Sequence, residues 1–282
     1  MMGDVLLLGA VAYDPKVVRI WNGFRVWFAE HELALDYVLY SNYERQVDDL
    51  LAGRIHLAWN SPLAWVRAAR AAPVAGIQVS PLAMRDTDQD LTSVVVVRAD
   101  SPIREPGDLT GRTVATGALD SPQATLLPLA HLADLGVDVR VQRFDVGVGL
   151  HGDHIGGERD AARALVAGTV DAALMLDATH LTLSNEGTLA PGTTRILAQT
   201  APYDHCNLTV TDRAPHGLVD RFGELLFGMS YADPGLRELF DLEGLTAWRP
   251  GRRTGYPALE AAVDRFGFYD DSGKITMPGY CP

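Results

Sequence analysis

Two hydrophobic periods take turns along this chain. Residues 5–12 (Val-Leu-Leu-Leu-Gly-Ala-Val-Ala) form a short unbroken apolar run, the mark of a buried strand. Val17, Ile20, Trp21, Phe24, Trp27 and Phe28 then recur at the three-and-four spacing of an amphipathic helix over residues 17–30. The exchange repeats with a strand at 35–40, a helix at 43–52 stopped by Gly53, and a strand at 55–59. A further helix opens at Asn60-Ser61-Pro62, with Ser61 as N-cap and Pro62 in the first turn. Val94, Val95, Val96 and Val97 are consecutive β-branched residues and predict a fully buried strand. Past the breaks at Pro102, Pro106 and Gly107, strands at 112–116, 139–144 and 170–176 alternate with helices at 121–135 and 158–167, the second capped by Gly168. The chain crosses back near 203–211 and continues into helices at 218–229, 234–240 and 256–266. Such alternation predicts an α/β protein whose mostly parallel sheets are flanked by helices.

Composition narrows the function classes. A chain of 282 residues with 47% hydrophobic and 21% charged positions has enough material for two compact lobes, each with its own core. A net charge of −12 with no basic stripe excludes nucleic acid and anionic membrane surfaces as the main partner. No apolar run approaches the ~18 residues of a membrane-spanning helix. The apolar start ends in an Ala-x-Ala-like pattern, but Asp4 precedes it and no Lys or Arg occurs before Lys16, so it reads as a first strand and not as an export signal. The expectation is therefore a cytoplasmic chain, which puts a transporter partner in doubt. Two cysteines, Cys206 and Cys281, are too few for a disulfide framework.

The stretch VVVVRADSPI at 94–103, followed by EPGDLTGRTVA at 105–115, resembles the lobe crossing of periplasmic solute-binding proteins, in wording similar to the phosphate/phosphonate-binding branch. Two units, YERQVDDLLAGRIHLAW from Tyr43 and ERDAARALVAGTVDAALM from Glu158, share a pattern of helix, glycine cap and strand. The resemblance covers roughly residues 3 to 266. It implies a two-lobed type 2 periplasmic-binding-protein fold with a ligand cleft between the lobes: residues 1–91 plus 204–282 in lobe one and 92–203 in lobe two. Strand C-terminal ends would face the shared ligand, and the lobes would close by hinge motion.

The candidate chemistry gathers at those ends. In Asp120-Ser121-Pro122-Gln123-Ala124-Thr125, a Ser N-cap and a first-turn Pro leave backbone N–H groups facing outward at a helix N-terminus, a ready anion site. The resembled family places Ser-Thr-Ser-Gly here. Ser121 matches its first Ser, while Pro122, Gln123 and Ala124 replace the rest, so a carboxylate joins phosphonate as a candidate ligand group. Asp120, Ser121, Gln123, Thr125, Asp177 and Tyr203, with Tyr13, Asn60 and Ser61 across the cleft, are the candidate small-molecule contacts. Trp21, Trp27, Trp59 and Trp65 read as core.

A second reading competes with this binding module: a cytoplasmic, metal-dependent enzyme on the same fold. Asp153, His154, His180 and His205 are candidate ligands for iron, zinc or copper. His205 is a candidate base and Cys206 a candidate nucleophile. As neighbours in a regular strand, these two would point to opposite faces, so a bulge is needed for both to reach one centre. The plain alternatives are an ordinary helix cap at Ser121, a solvated glycine-rich loop around His151 to Gly157, and a buried, inert Cys206.

Overall fold

The computed structural model describes residues 5–145 and 154–282. Its strands form two sheets, one per lobe. In the first, β1 (Leu6–Val11) pairs in parallel with both β2 (Leu35–Tyr40) and β3 (Leu57–Asn60). α1 (Lys16–Glu30) and α2 (Tyr43–Leu51) supply the crossovers that parallel strands require. α3 (Pro62–Val74) starts as expected, the Ser61 hydroxyl accepting the Ala64 N–H at 3.2 Å. β4 (Val79–Arg85), β10 (Asn207–Thr211) and β11 (Trp248–Pro250) complete the order β11-β4-β10-β3-β1-β2. The second sheet contains β5 (Ser93–Arg98), β6 (Thr113–Thr116), β7 (Arg140–Arg143), β8 (Ala172–Leu176) and β9 (Thr194–Gln199) in the order β7-β6-β8-β5-β9.

Both sheets are mixed, a difference from the parallel expectation with a topological reason. β5 and β10 run against their neighbours on both sides. These are the strands entered straight from a lobe crossing, and a strand entered from the cleft must run away from it.

Each lobe has its own core. Leu6, Leu8 and Ala10 of β1 pack with Ile20, Trp21, Phe24 and Phe28 of α1, together with Phe222 of α7 (His216–Gly228) and Phe240 of α8 (Pro234–Glu243). In the other lobe, Val94 and Val96 meet Ala161, Ala162 and Leu165 of α5 (His154–Val166). Val95 and Val97 face the opposite way, onto Ile103, Leu109 and Leu132. A strand alternates its side chains between faces, so one covered on both faces requires apolar residues at every position. Burying each valine contributes about 1.5–3 kcal/mol.

A further cluster joins the lobes. Leu126, together with Leu127 and Ala130 of α4 (Leu127–Asp134), packs with Trp65, Tyr256 and, from α9 (Pro257–Phe266), Leu259 and Ala262. The two crossing segments also pair with each other: Leu91 and Tyr203 exchange both backbone hydrogen bonds at 2.8 Å. Beside them Asp90 takes a left-handed φ of 57°. Few non-glycine residues adopt that conformation, and Arg252 fixes it by bonding Asp90 at 2.7 Å and Asp204 at 2.6 Å. A Cβ at Gly255 would lie 2.0 Å from Asp204 Cγ, so only glycine fits against this clamp.

Candidate ligand-binding site

A cavity of about 120 Å³ opens where the crossing segments meet the strand ends of lobe one. Tyr13 follows β1, Trp59 lies near the end of β3, Ser61 caps α3, and Arg85 ends β4. Tyr43 and Glu44 open α2, while His205 and Cys206 precede β10. Asp120 and Pro122 line it from lobe two, and Tyr269 and Tyr280 from beyond α9. This is the position the general rule for open α/β sheets gives a ligand. Its volume is below the roughly 300–1,000 Å³ of pockets for drug-sized molecules, so it suits a ligand of few heavy atoms.

One wall is a half-buried charged network built on the buried Asp88. Arg85 donates from Nε and Nη2 to both Asp88 oxygens, at 2.6 and 2.8 Å, and from Nη1 to the Glu243 carbonyl at 2.6 Å. Its guanidinium lies over the Trp59 ring, 5.2 Å from the centroid. Such a cation–π contact adds to the hold on a planar cation. Burial acts to raise the Asp88 carboxyl, but the Arg85 charge and hydrogen bonds, with His205, hold it down at about 2. Burial likewise acts against the His205 cation, yet the Cys206 sulfur and the Asp88 carboxylate outweigh it and push His205 up to about 10. Arg85 and His205 are thus both cationic on the wall of the cavity. Burial pushes the Glu243 carboxyl up to about 7 against the opposing pull of Arg85. It also raises the phenols of Tyr13 and Tyr43, which remain neutral hydrogen-bond donors.

The other wall is a turn whose side chains bond within its own lobe, except that Gln123 Oε1 is buried without a partner. The Ser121 hydroxyl accepts the Ala124 N–H at 3.1 Å, and Thr125 donates to the Ala118 carbonyl at 2.7 Å. Gln123 reaches the buried Glu158 at 3.4 Å. Residues Pro122–Leu126 form a single π-turn, in which the Leu126 N–H bonds the Ser121 carbonyl at 3.1 Å, before α4 begins. Sequence periodicity reads this stretch as plain α-helix because the π-turn inserts only one extra residue per turn.

Among the candidate contacts, Tyr13, Ser61 and Asp120 line the cavity. Asn60 is fully buried in a network with Gln46 and Thr209. Asp177 opens α6 (Asp177–Asn185) and accepts from Thr92 Oγ1 at 2.6 Å. The Tyr203 hydroxyl meets Ser93 Oγ at 2.8 Å inside the crossing. Arg85, Tyr43, Glu44, Tyr269 and Tyr280 carried no sequence signal. Arg85 is the polar end of β4, a strand whose Pro81 hides it from a reading by periodicity.

His205 and Cys206 do reach one centre, with Sγ 3.1 Å from Nδ1, because they precede β10 and strand alternation does not apply to them. Asp88 approaches the same ring nitrogen at 3.4 Å. A nucleophile–base–carboxylate relay needs the two imidazole nitrogens to serve different partners, so this geometry does not support the enzyme reading. Asp88, His205 and Cys206 each offer a ligand atom within 4.8 Å of the others. Arg85 already takes both Asp88 oxygens, and its charge opposes a metal cation there. His180 does not line the cavity, and burial lowers its imidazole. Asp153 and the side chain of His154 lie outside the described residues. The metal reading is unsupported.

The family model for ABC-transporter phosphonate periplasmic substrate-binding proteins matches residues 13–256. The chain belongs to that family. The phosphate-import protein PhnD of Mycolicibacterium smegmatis is 28% identical over 189 residues, which cover 64% of this chain and 55% of that protein. The chain thus spans about half the length of this curated relative. PhnD1 of Prochlorococcus marinus, solved with methylphosphonate, superposes with a TM-score of 0.67 at 15% identity, covering 93% of this chain and 98% of that one. A Xanthomonas citri protein solved with ATP gives 0.69 at 19%, covering 93% and 97%. The aliphatic sulphonate-binding protein SsuA of Escherichia coli gives 0.57 at 17%, covering 99% and 94%. At these identities the solved structures establish the two-lobed fold. The matched family is one of substrate-binding proteins. Membership also corrects the cytoplasmic expectation, because the family is one of periplasmic substrate-binding proteins. No helix among the described residues is long and apolar enough to cross a membrane.

Proposed function

We propose that this chain is the solute-binding component of an ABC importer and captures a small anion of the phosphonate, phosphate or sulfonate type. Two lobes, residues 1–91 plus 204–282 and residues 92–203, close over the cavity about the paired crossings. The observation that carries the reading is the placement of cationic Arg85 and His205 on the cavity wall, beside the backbone pairing of Leu91 with Tyr203. An anion held there contacts the crossing itself, so binding favours the closed arrangement over the open one. Known relatives support the ligand class: one imports phosphate and others were solved with methylphosphonate or bind sulphonates.

Calorimetric titration of the purified chain with phosphate, methylphosphonate and methanesulfonate tests it. At least one should bind, and His205→Gln should weaken that binding about 10-fold or more, the usual scale for a hydrogen bond to a charged group. Absence of binding by all three anions would overturn the proposal.

A further inference from the structure

A carboxyl group with no exposed surface sits behind the lobe-two wall. Glu158 of α5 is 0% exposed and does not line the cavity. Its Oε2 accepts the Leu176 N–H at the end of β8 at 3.1 Å, and its Oε1 receives the Gln123 amide at 3.4 Å. The Thr179 hydroxyl on α6 bonds it as well. Glu158 thus ties α5, β8, α6 and the π-turn together. Gln123 carries the tie onward. Its carbonyl accepts the Ser93 hydroxyl at 2.6 Å, and Ser93 Oγ meets the Tyr203 hydroxyl at 2.8 Å inside the crossing. Its neighbour Pro122 lines the cavity. One side chain therefore joins the buried acid to both the cavity wall and the crossing between the lobes.

The tie is incomplete while Glu158 is ionised. Gln123 is only 6% exposed, and its Oε1 is buried without a hydrogen-bond partner. A buried acceptor left without a donor is costly. A carboxylate can only accept, whereas a protonated carboxyl has one O–H to donate. Turned over about its last bond, the Gln123 amide presents its orphaned oxygen to that O–H. Burial pushes the Glu158 carboxyl up to about 7, against the pull of its hydrogen bonds and of His205. The ionisable groups around it are few. His205 acts on it from the opposite wall, and the Tyr203 phenol lies in the field of both Glu158 and Asp177. On α6, Asp177 accepts from Thr92, and burial lowers the imidazole of His180. On α5, Arg159 pairs with Glu186, and Arg163 with Asp160.

We propose that Glu158 is a positioning residue whose proton is linked to anion capture: the neutral carboxyl bonds Gln123 and holds the lobe-two wall in place, and an anion held by Arg85 and His205 strengthens its grip on that proton. This rests on the anion-binding reading above. The sign follows from charge. His205 attracts both the Glu158 carboxylate and the bound anion, while those two repel each other. An anion in the cavity therefore favours neutral Glu158, and by reciprocity neutral Glu158 favours the anion. Capture weakens as pH rises through about 7, where Glu158 loses the proton.

Calorimetric titrations with methylphosphonate, phosphate and methanesulfonate at about pH 5.5, 7 and 8.5 compare the wild-type chain with Glu158→Gln, whose amide stays neutral and still donates to Gln123. For an anion that binds, the ratio of the two affinities at each pH cancels the titration of the ligand and of Glu243, which both proteins share. That ratio should be about 1 at the lowest pH. At the highest, the wild-type chain should bind about 5-fold or more weakly than the variant, the lower end of coupling between two sites. In two buffers of different ionisation heat at neutral pH, the wild-type chain should take up more protons per anion than Glu158→Gln. Glu158→Leu, which cannot bond Gln123, should bind more weakly than Glu158→Gln at every pH. A carboxyl with a merely structural role would shift affinity equally at every pH. A ratio independent of pH, equal proton uptake, or equal binding by the Leu and Gln variants would overturn the inference while leaving the anion-binding reading in place. If none of the three anions binds the wild-type chain, both proposals fail together.

Discussion

The two walls of the cavity solve different problems. On the lobe-one wall, Arg85 and His205 are charged, half-buried and each joined to the buried Asp88, and both line the cavity. On the lobe-two wall, Ser121, Gln123 and Thr125 direct their side chains at Ala124, Glu158 and Ala118 of their own lobe. The first wall has charge to offer a ligand. The second is a rigid surface that fixes where Asp120 and Pro122 stand. A helix N-terminus that sequence alone marks as an anion site can therefore act as a brace when its cap is occupied and Pro122 removes an N–H.

Removing Arg85 should break this contrast most severely. Arg85→Met leaves Asp88, 1% exposed at its side chain, as a buried carboxylate without its main partner. The expected loss is about 3–5 kcal/mol, the range for breaking one side of a buried pair. Chemical denaturation reads it, and a loss below about 1 kcal/mol would mean the network is not structural. Adding Asp88→Leu should recover part of the loss by removing the stranded charge.

pH separates Glu158 from His205. Burial pushes the Glu158 carboxyl, which also accepts the Leu176 N–H at 3.1 Å, up to about 7. Its folded value exceeds its ordinary 4.5, so the stability linked to its proton is fully present below pH 4.5 and is lost as pH rises to about 7. His205, raised from 6.5 to about 10, contributes stability that is full below pH 6.5 and lost as pH rises through 10. Glu158→Gln should therefore shrink the fall between pH 4.5 and 7, leaving the share of Glu243, whose carboxyl is also raised from 4.5 to about 7, and leave the fall between 7 and 10 intact. His205→Gln should do the reverse. Denaturation midpoints across pH 4–10 check both, and one shared window for the two variants would show that the walls are coupled.

The smallest effect belongs to the brace. Ser121→Ala should cost about 1 kcal/mol through the lost cap, with anion affinity changed less than 3-fold. A variant of unchanged stability that no longer binds would turn the brace into a ligand contact and erase the contrast.

Much of the scaffold was legible because its cause is local. The four valines of β5, the apolar stripe of α1, Ser61 before Pro62 and the glycines at 53 and 168 each fix structure within a few residues. β4 was not legible. Its Pro81 reads as a strand breaker, and the sheet accommodates it by a register shift between Leu208 and Thr209 on β10. β9 and β11 are strands at the sheet edges and leave little pattern of their own.

The sequence by itself determined the alternating α/β scaffold, the return crossing and several residues of the cleft, including Tyr13, Ser61 and Asp120. Only the tertiary structure decided what those residues share the cavity with. Arg85 and Asp88 meet His205 and Cys206 because two crossings pair at Leu91 and Tyr203. Glu44 meets Tyr280 across a separation of 236 residues because Arg67 and Phe268 hold the C-terminal segment in place. Periodicity and capping act over a turn or two of chain. Charge and unfilled hydrogen bonds act over a few ångströms of space, and the fold alone decides which residues come that close.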